Sequence, residues 1–306
     1  MREGTKNQEN TKDKNKGKLL CPKIDVVFHS LFREENKHLL EALVSTVLQE
    51  KVTIKTMDKN RYVEIEDSKE KLGIMDLRAE LSDKTQCLIE IQLKEQVNEI
   101  ERMLYYWSNS YSRQLLRGNE YIKLNKTISI VILDHEIEEM KGFEELGIKW
   151  QIRDNFTGKQ VLTENFEMVI IEIPKAIRVY ERDKENPISQ WMMFLNNPNK
   201  SEVSQIMKEN KEVKFAYEEL EKVSGDEKLR RIAELREKAI RDDKAALDFA
   251  IQKGMKQGIE QGMKQGEEIG KRKNQIEIVK NLLKENISIE QIKRITGLSE
   301  EEIKNI

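Results

Sequence analysis

Three side chains at close spacing stand out as able to do chemistry together: Asp76, Glu90 and Gln92, with Lys94 two residues further on. Around them Met75, Leu77, Ala79 and Leu81 alternate with Asp76, Arg78 and Glu80, and Cys87, Ile89, Ile91 and Leu93 alternate with Glu90, Gln92 and Lys94. A period of two is the signature of strands with one oily and one polar face. The polar run Ser82, Asp83, Lys84 between them has the length of a hairpin loop, and both oily faces must turn to one core. That parity pairs Ala79 with Cys87 and Leu77 with Ile89. It also sets Asp76 across from Glu90, with Cβ atoms about 4.5–5.5 Å apart.

Directly opposed carboxylates destabilise a hairpin, so the pattern needs a compensating charge. A divalent cation supplies one, since paired hard oxygens with a polar or basic group two residues on make a site for magnesium or manganese and a phosphate. A solvated outer face, with Arg78 and Lys94 offsetting the acids, supplies another. From spacing alone both readings stand.

The elements that must position these residues fit an α/β layer. Asp25 precedes Val26, Val27, Phe28, Leu31 and Phe32 at helical spacing and lies where a cap would act. Leu39, Leu40, Leu43, Val44, Val47 and Leu48 predict a helix over 35–50 with one buried face. Strands are expected at Val52–Lys55 and Tyr62–Glu66, ahead of the hairpin. Residues 96–117 read as a helix carrying Ile100, Met103, Leu104, Trp107, Tyr111 and Leu115, with Arg102, Tyr106 and Arg113 on other faces; following the Glu90 strand directly, it can reach the same cleft. Thr127–Leu133 reads as a buried strand, residues 149–155 and 167–173 as two more ending at Pro174, and Trp191–Leu195 as a short helix between Pro187 and Pro198. Helices and strands in this order make a mixed sheet with helices on its faces.

Asp76 followed by Glu90, Ile91 and Gln92 resembles the Asp…(Asp/Glu)-X-Lys signature of the PD-(D/E)XK nucleases, with glutamine where lysine usually stands. The wider chain resembles the Rpn family of recombination-promoting nucleases and transposases of that class. The stretches that carry the likeness are Pro22-Lys23-Ile24-Asp25 with Phe28, Leu31 and Phe32; Leu72-Gly73-Ile74-Met75-Asp76; Ile89-Glu90-Ile91-Gln92; Arg102-Met103-Leu104-Tyr105-Tyr106-Trp107; Gly118 to Tyr121; Glu172-Ile173-Pro174-Lys175; and Ile295-Thr296-Gly297-Leu298-Ser299. Together they span most of residues 20–306. The resemblance implies a restriction-endonuclease-like α/β core and a magnesium- or manganese-dependent DNA endonuclease linked to recombination or mobile elements. In that pattern Asp76, Glu90 and the carbonyl of Ile91 hold the metal, Asp25 joins from the first helix, and the third position orients the attacking water. Gln92 can donate hydrogen bonds there but carries no charge, so Lys94, reaching back along the strand face, is the residue expected to supply it. The rival reading is a catalytically weak or inactive DNA-associated scaffold that oligomerises through its tail.

Composition narrows the partners. Charged residues are 36% of 306, yet the net charge is −2, so no global basic field exists and DNA contact must come from local patches, without sequence preference. The two cysteines, Cys21 and Cys87, are no disulfide framework and fit a cytoplasmic protein. No apolar run reaches membrane-spanning length, so no membrane partner is expected. His29, His38 and His135 are isolated from cysteines, which speaks against zinc.

The expected organisation is a disordered polar tail over 1–18, a nuclease-like core over 19–198, a charged helical extension over 199–250, a glycine-ladder helix or linker over 251–273, and a small helical segment over 274–306. The ladder is Gly254, Gly258, Gly262, Gly266 and Gly270, beside Ile251, Met255, Ile259 and Met263. Five glycines cost a helix roughly 4–5 kcal/mol against alanine, so a partner must compensate, and residues 250–285 are expected to form a homo-oligomer contact. At the end, Ser288 and Ser299 read as caps and Gly297 as a stop, forming a small bundle. The last helix begins Glu300-Glu301-Glu302, the wrong charge for reading a DNA groove.

Overall fold

A computed structural model of the chain describes residues 17–57, 77–116 and 118–306. Asp76, the strand expected at Tyr62–Glu66 and all of the N-terminal tail but Gly17 and Lys18 lie outside the described residues. The chain forms two compact units, divided between Glu237 and Lys238.

In the first unit, α1 (Asp25–Leu31) and α2 (Lys37–Leu48) precede β1 (Ile54–Met57), β2 (Leu77–Leu81) and β3 (Gln86–Gln92). Then come α3 (Glu99–Ser112), β4 (Thr127–Leu133), β5 (Ile148–Trp150) and β6 (Phe166–Glu172). Four helices follow, α4 (Ile173–Arg182), α5 (Pro187–Asn196), α6 (Ser201–Glu209) and α7 (Lys211–Ser224), before α8 (Glu227–Lys284) begins. The six strands form one sheet in the order β1-β2-β3-β4-β6-β5. β3, β4 and β6 run parallel at its centre, while β1, β2 and β5 are antiparallel to their neighbours. This is the mixed α/β architecture that the order of elements implied.

The hairpin takes the expected register: Leu77 pairs with Ile89 and Ala79 with Cys87. Its loop is Ser82–Lys84, with Lys84 in the left-handed region at φ 72° and Leu81 donating to the Thr85 carbonyl across 2.8 Å. A left-handed third residue suits a three-residue hairpin loop.

Both sheet faces are covered. One carries Glu90 and Gln92 of β3, Val131 and Leu133 of β4, and Met168 and Ile170 of β6, which share a side by register. Met103 and Trp107 of α3 pack on it, together with Ile137 and Met140. Trp107 donates its indole N–H to the Thr127 carbonyl at the start of β4, whereas Glu99 at the other end of α3 reaches His135 beyond the end of β4. The helix therefore runs back along the strand. The opposite face holds Cys87, Ile89, Ile130, Ile132, Val169 and Ile171, all buried. Around it, α2 touches β1, α4 touches β6, and α7 packs on α1 and α2. Phe32, Trp191 and Phe194 stack edge-on in the helical layer.

Several elements differ from their sequence expectation. The strand at 149–155 shortens to Ile148–Trp150, followed only by an isolated bridge between Arg153 and Val161; past Trp150 the chain folds back on itself, with Leu162 N–H donating to the Ile152 carbonyl and Asp154 N–H to the Gln160 carbonyl. The helix expected over 96–117 starts at Glu99, because Asn98 is left-handed at φ 60°. Pro174 does not merely end β6 but sits in the first turn of α4, where its missing N–H costs nothing. The compact unit also runs past the change in composition near residue 199, since α6 and α7 pack against α5, α1 and α2. Gly147 has φ 68°, and a Cβ there would stand 3.0 Å from Ile188 Cδ1.

The second unit holds the rest of α8, then α9 (Ile289–Thr296) and α10 (Glu300–Lys304). Val279, Ile292, Leu298 and Ile303 form its core. Ser288 accepts from Gln291 N–H, Gly297 is left-handed at φ 71°, and Ser299 with Glu302 completes a capping box. The glycine ladder lies within the continuous α8, and a Cβ on any of its five glycines would meet nothing within 4 Å among the described residues. Among the described residues no helix is long and apolar enough to cross a membrane.

Candidate active site

Glu90 and Gln92 stand at the last turn of the pleat in β3, two residues apart and therefore on one face. Period-two alternation predicted a polar face there; both side chains are instead 3% exposed. The cause is tertiary. Their parallel partners Val131 and Leu133 carry the weight of α3 through Met103, and the helix roofs the polar pair along with them. Gln92 Nε2 donates to Glu90 Oε1 across 2.7 Å. A carboxylate oxygen can only accept, so this bond fixes which end of the amide faces Glu90. Gln92 Oε1 is thereby turned away, buried and without a hydrogen-bond partner among the described residues.

The edge where β3, β4 and β6 end gathers further polar groups, and ligands in open parallel sheets bind outside such carboxyl ends. Asp134 N–H donates to the Gln92 carbonyl at 2.9 Å, tying the end of β3 to the turn after β4. The Asp134 carboxylate pairs with Lys23 Nζ at 2.5 Å, and Lys23 also donates to Asn196 Oδ1. His135 Nε2 lies 2.8 Å from Glu99 Oε2, with both groups largely buried. His135 Nδ1, Glu99 Oε1 and Arg102 Nε have no hydrogen-bond partner among the described residues. Arg102 also donates to Gln96 and lies 5.8 Å from the Tyr106 ring centroid. At the end of β6, Glu172 accepts from Ile137 N–H at 2.7 Å and lies 2.7 Å from Lys175 Nζ, an ion pair outside hydrogen-bond angles. Lys175 in turn donates to the Met140 carbonyl. The Glu172–Lys175 pair is thus a buried clamp on the loop after β4.

Of the residues picked from sequence, the structure places Glu90 and Gln92 together. Ile91, half-buried, points to the opposite face. Lys94 is not on the strand: β3 ends at Gln92 and Lys94 lies in a bend beyond it, so the strand face expected to carry Lys94 beside Gln92 does not reach it. The ladder stops because the chain must turn towards α3. Asp25 is not the cap of α1. Ile24 holds that position, and Asp25, in the first turn, accepts from Val26 N–H with its other oxygen 3.6 Å from Arg236 Nε. Lys23, Glu99, Asp134 and His135 were not singled out as a group from sequence. Lys23 falls inside the motif around Asp25, which was a usable signal; the Glu99–His135 pairing, 36 residues apart, carries none.

The donors present suit a hard cation as far as they go. Glu90 supplies a buried carboxylate, and Gln92 an unpartnered amide oxygen on the same face. Among the described residues no group of three or more His, Cys, Asp or Glu side chains is set to hold a metal. Asp76, the other acid of the motif, is outside them.

Fold and edge together define an α/β protein with a buried acid–amide pair at the end of a central strand. The chain belongs to the PD-(D/E)XK nuclease family transposases, whose pattern it matches over residues 22–250. Nucleases of this superfamily generally use divalent metal ions. No curated protein and no solved structure matches the chain.

Proposed function

We propose that the protein is a divalent-cation-dependent DNA endonuclease, using magnesium or manganese and acting in recombination or the movement of mobile elements. One observation carries the reading within the family: Glu90 and Gln92, buried on one face, with the Gln92 amide oxygen turned away from Glu90 and unpartnered. Asp76, which the parity of the sequence sets across from Glu90, would complete the site. Asp76, Glu90 and the Ile91 carbonyl would hold the cation, with Asp25 assisting from α1. Once bound, the ion would polarise the phosphate and lower the pKa of the attacking water.

The chain's own part follows from its side chains. Gln92 holds the Glu90 carboxylate in place through Nε2 and offers Oε1 to accept a hydrogen from the attacking water. That orients the water but does not deprotonate it, because a neutral amide oxygen is far too weak a base. The proton must pass to solvent or to the phosphate. Burial under α3 keeps bulk water from competing for Glu90, which strengthens each electrostatic contact there.

Plasmid nicking in Mg²⁺ or Mn²⁺ tests the proposal. Activity should disappear in Asp76→Ala and in Glu90→Ala; nicking that survives both would overturn it. The scaffold reading is favoured by one feature, the absence of a cation at the third motif position, and predicts DNA binding without nicking. For partners, we take DNA without sequence preference and a second copy of the chain through residues 250–285. The second rests on Ile251, Met255, Ile259 and Met263, which stand exposed in a row on α8.

A further inference from the structure

At the opposite end of α3 the same sheet face opens into a cavity of about 370 Å³. Its walls come from β2, the start of β3 and the last turn of α3 with the segment after it. Arg78 of β2 and Arg113, the residue after α3, both line it. Neither guanidinium has a hydrogen-bond or ion-pair partner among the described residues. The one acid in the wall, Glu80, is already engaged: Lys55 Nζ lies 2.8 Å from Oε1, and Gln86 Nε2 lies 3.4 Å from Oε2. Its carboxyl is held below the usual range, by the Lys55 hydrogen bond above all. The cavity therefore keeps two positive forks uncommitted.

Resting on the nuclease reading, we infer that this cavity seats a backbone phosphate of the nucleic-acid strand whose cleavage Glu90 serves. Three observations converge. Guanidinium groups bind phosphate bidentately, and two of them lining one cavity suit a tetrahedral anion. Arg78 pairs across the ladder with Leu88, and Leu88 shares its face with Glu90 two residues further on. That is about 6.7 Å along the strand, close to the separation of neighbouring phosphates in one nucleic-acid strand. Finally, none of the wall residues is aromatic. A pocket for a free nucleotide would need a stacking or apolar surface for the base, and this one offers polar contacts instead.

The test is fluorescence anisotropy of a labelled duplex oligonucleotide with the full chain in EDTA, over a series of salt concentrations. Glu90→Gln should lose nicking and still bind the duplex. Arg78→Gln and Arg113→Gln should each weaken binding about threefold to tenfold and lower the slope of log Kd against log salt by about one. The double variant should lose about two. Arg113 is exposed, so its single variant should fold normally and keeps the test valid if Arg78→Gln melts early. Wild-type affinity and slope in the double variant would overturn the inference, and wild-type nicking beside them would leave the nuclease reading standing. The expected loss in the double variant, with no nicking by wild type, would instead keep the phosphate seat and remove the nuclease. Binding of a nucleoside monophosphate to wild type, with no oligonucleotide bound, would overturn the phosphate seat as a strand contact.

Discussion

The Gln92 amide donates to the Glu90 carboxylate across 2.7 Å beneath α3, and its own oxygen is left unpartnered among the described residues. Replacing the amide by an apolar group of similar size removes a donor from a buried acid. Gln92→Leu should cost about 1.5–3 kcal/mol in urea unfolding, the usual range for a hydrogen bond to a charged group, and should abolish nicking. Gln92→Lys keeps a donor and adds the charge of the family pattern, so nicking should persist or rise. A Gln92→Leu protein with wild-type stability and wild-type nicking would show that the bond matters to neither.

The Glu172–Lys175 pair has side chains 1% and 4% exposed. Taking away one partner leaves the other charge buried alone, a loss of about 3–5 kcal/mol, whereas removing both charges is far milder. Lys175→Met should therefore destabilise strongly, and adding Glu172→Gln should restore much of the loss. Because Glu172 also holds the Ile137 N–H, the recovery will be incomplete. A Lys175→Met protein within 1 kcal/mol of wild type would contradict the clamp.

Cys87 faces the core from β3, and burial pushes its thiol up to about 12. The thiolate is the reactive form. At pH 8 a thiol with so high a pKa is almost wholly protonated, so Cys87 should stay silent to a thiol-specific chromogenic reagent in the native protein and react in urea. A Cys21→Ser variant isolates the reading. Rapid native labelling of that variant would mean that β3 opens far more readily than its burial implies.

The sheet centre was legible because alternation and a three-residue loop fix the parity of β2 and β3, and because Thr127–Leu133 is apolar almost throughout. The caps at Ser288 and Ser299 and the stop at Gly297 were legible for a similar reason: each depends only on its near neighbours. What was not legible depends on parts distant in sequence. Glu90 and Gln92 look like a solvated face until α3 covers them, and Lys94 looks like their neighbour until the ladder ends at Gln92. Lys23 meets Asp134 across 111 positions, a pairing with no local signal. Arg78 and Arg113 read as scattered surface charge, and only the fold brings them to one cavity.

The remaining prediction concerns α8. Its glycines recur every four residues in a continuous helix, and each adds roughly 1 kcal/mol of helix cost against alanine. Among the described residues no atom lies within 4 Å of where their Cβ atoms would stand, and Ile251, Met255, Ile259 and Met263 are 51–72% exposed in the adjoining row. A second copy laid along this side would cover the apolar row, and the missing Cβ atoms would let the backbones approach closely. Sedimentation velocity of the full chain at tens of micromolar should then show a dimer or larger species. Replacing Gly258, Gly262 and Gly266 by leucine should raise helix content while shifting the protein towards monomer, because larger side chains hold the partner off. Met255→Glu with Met263→Glu should shift it the same way by setting like charges in the contact. A monomeric wild type would leave the glycine row without an interface, and a dimer that survives both sets of substitutions would place the contact elsewhere.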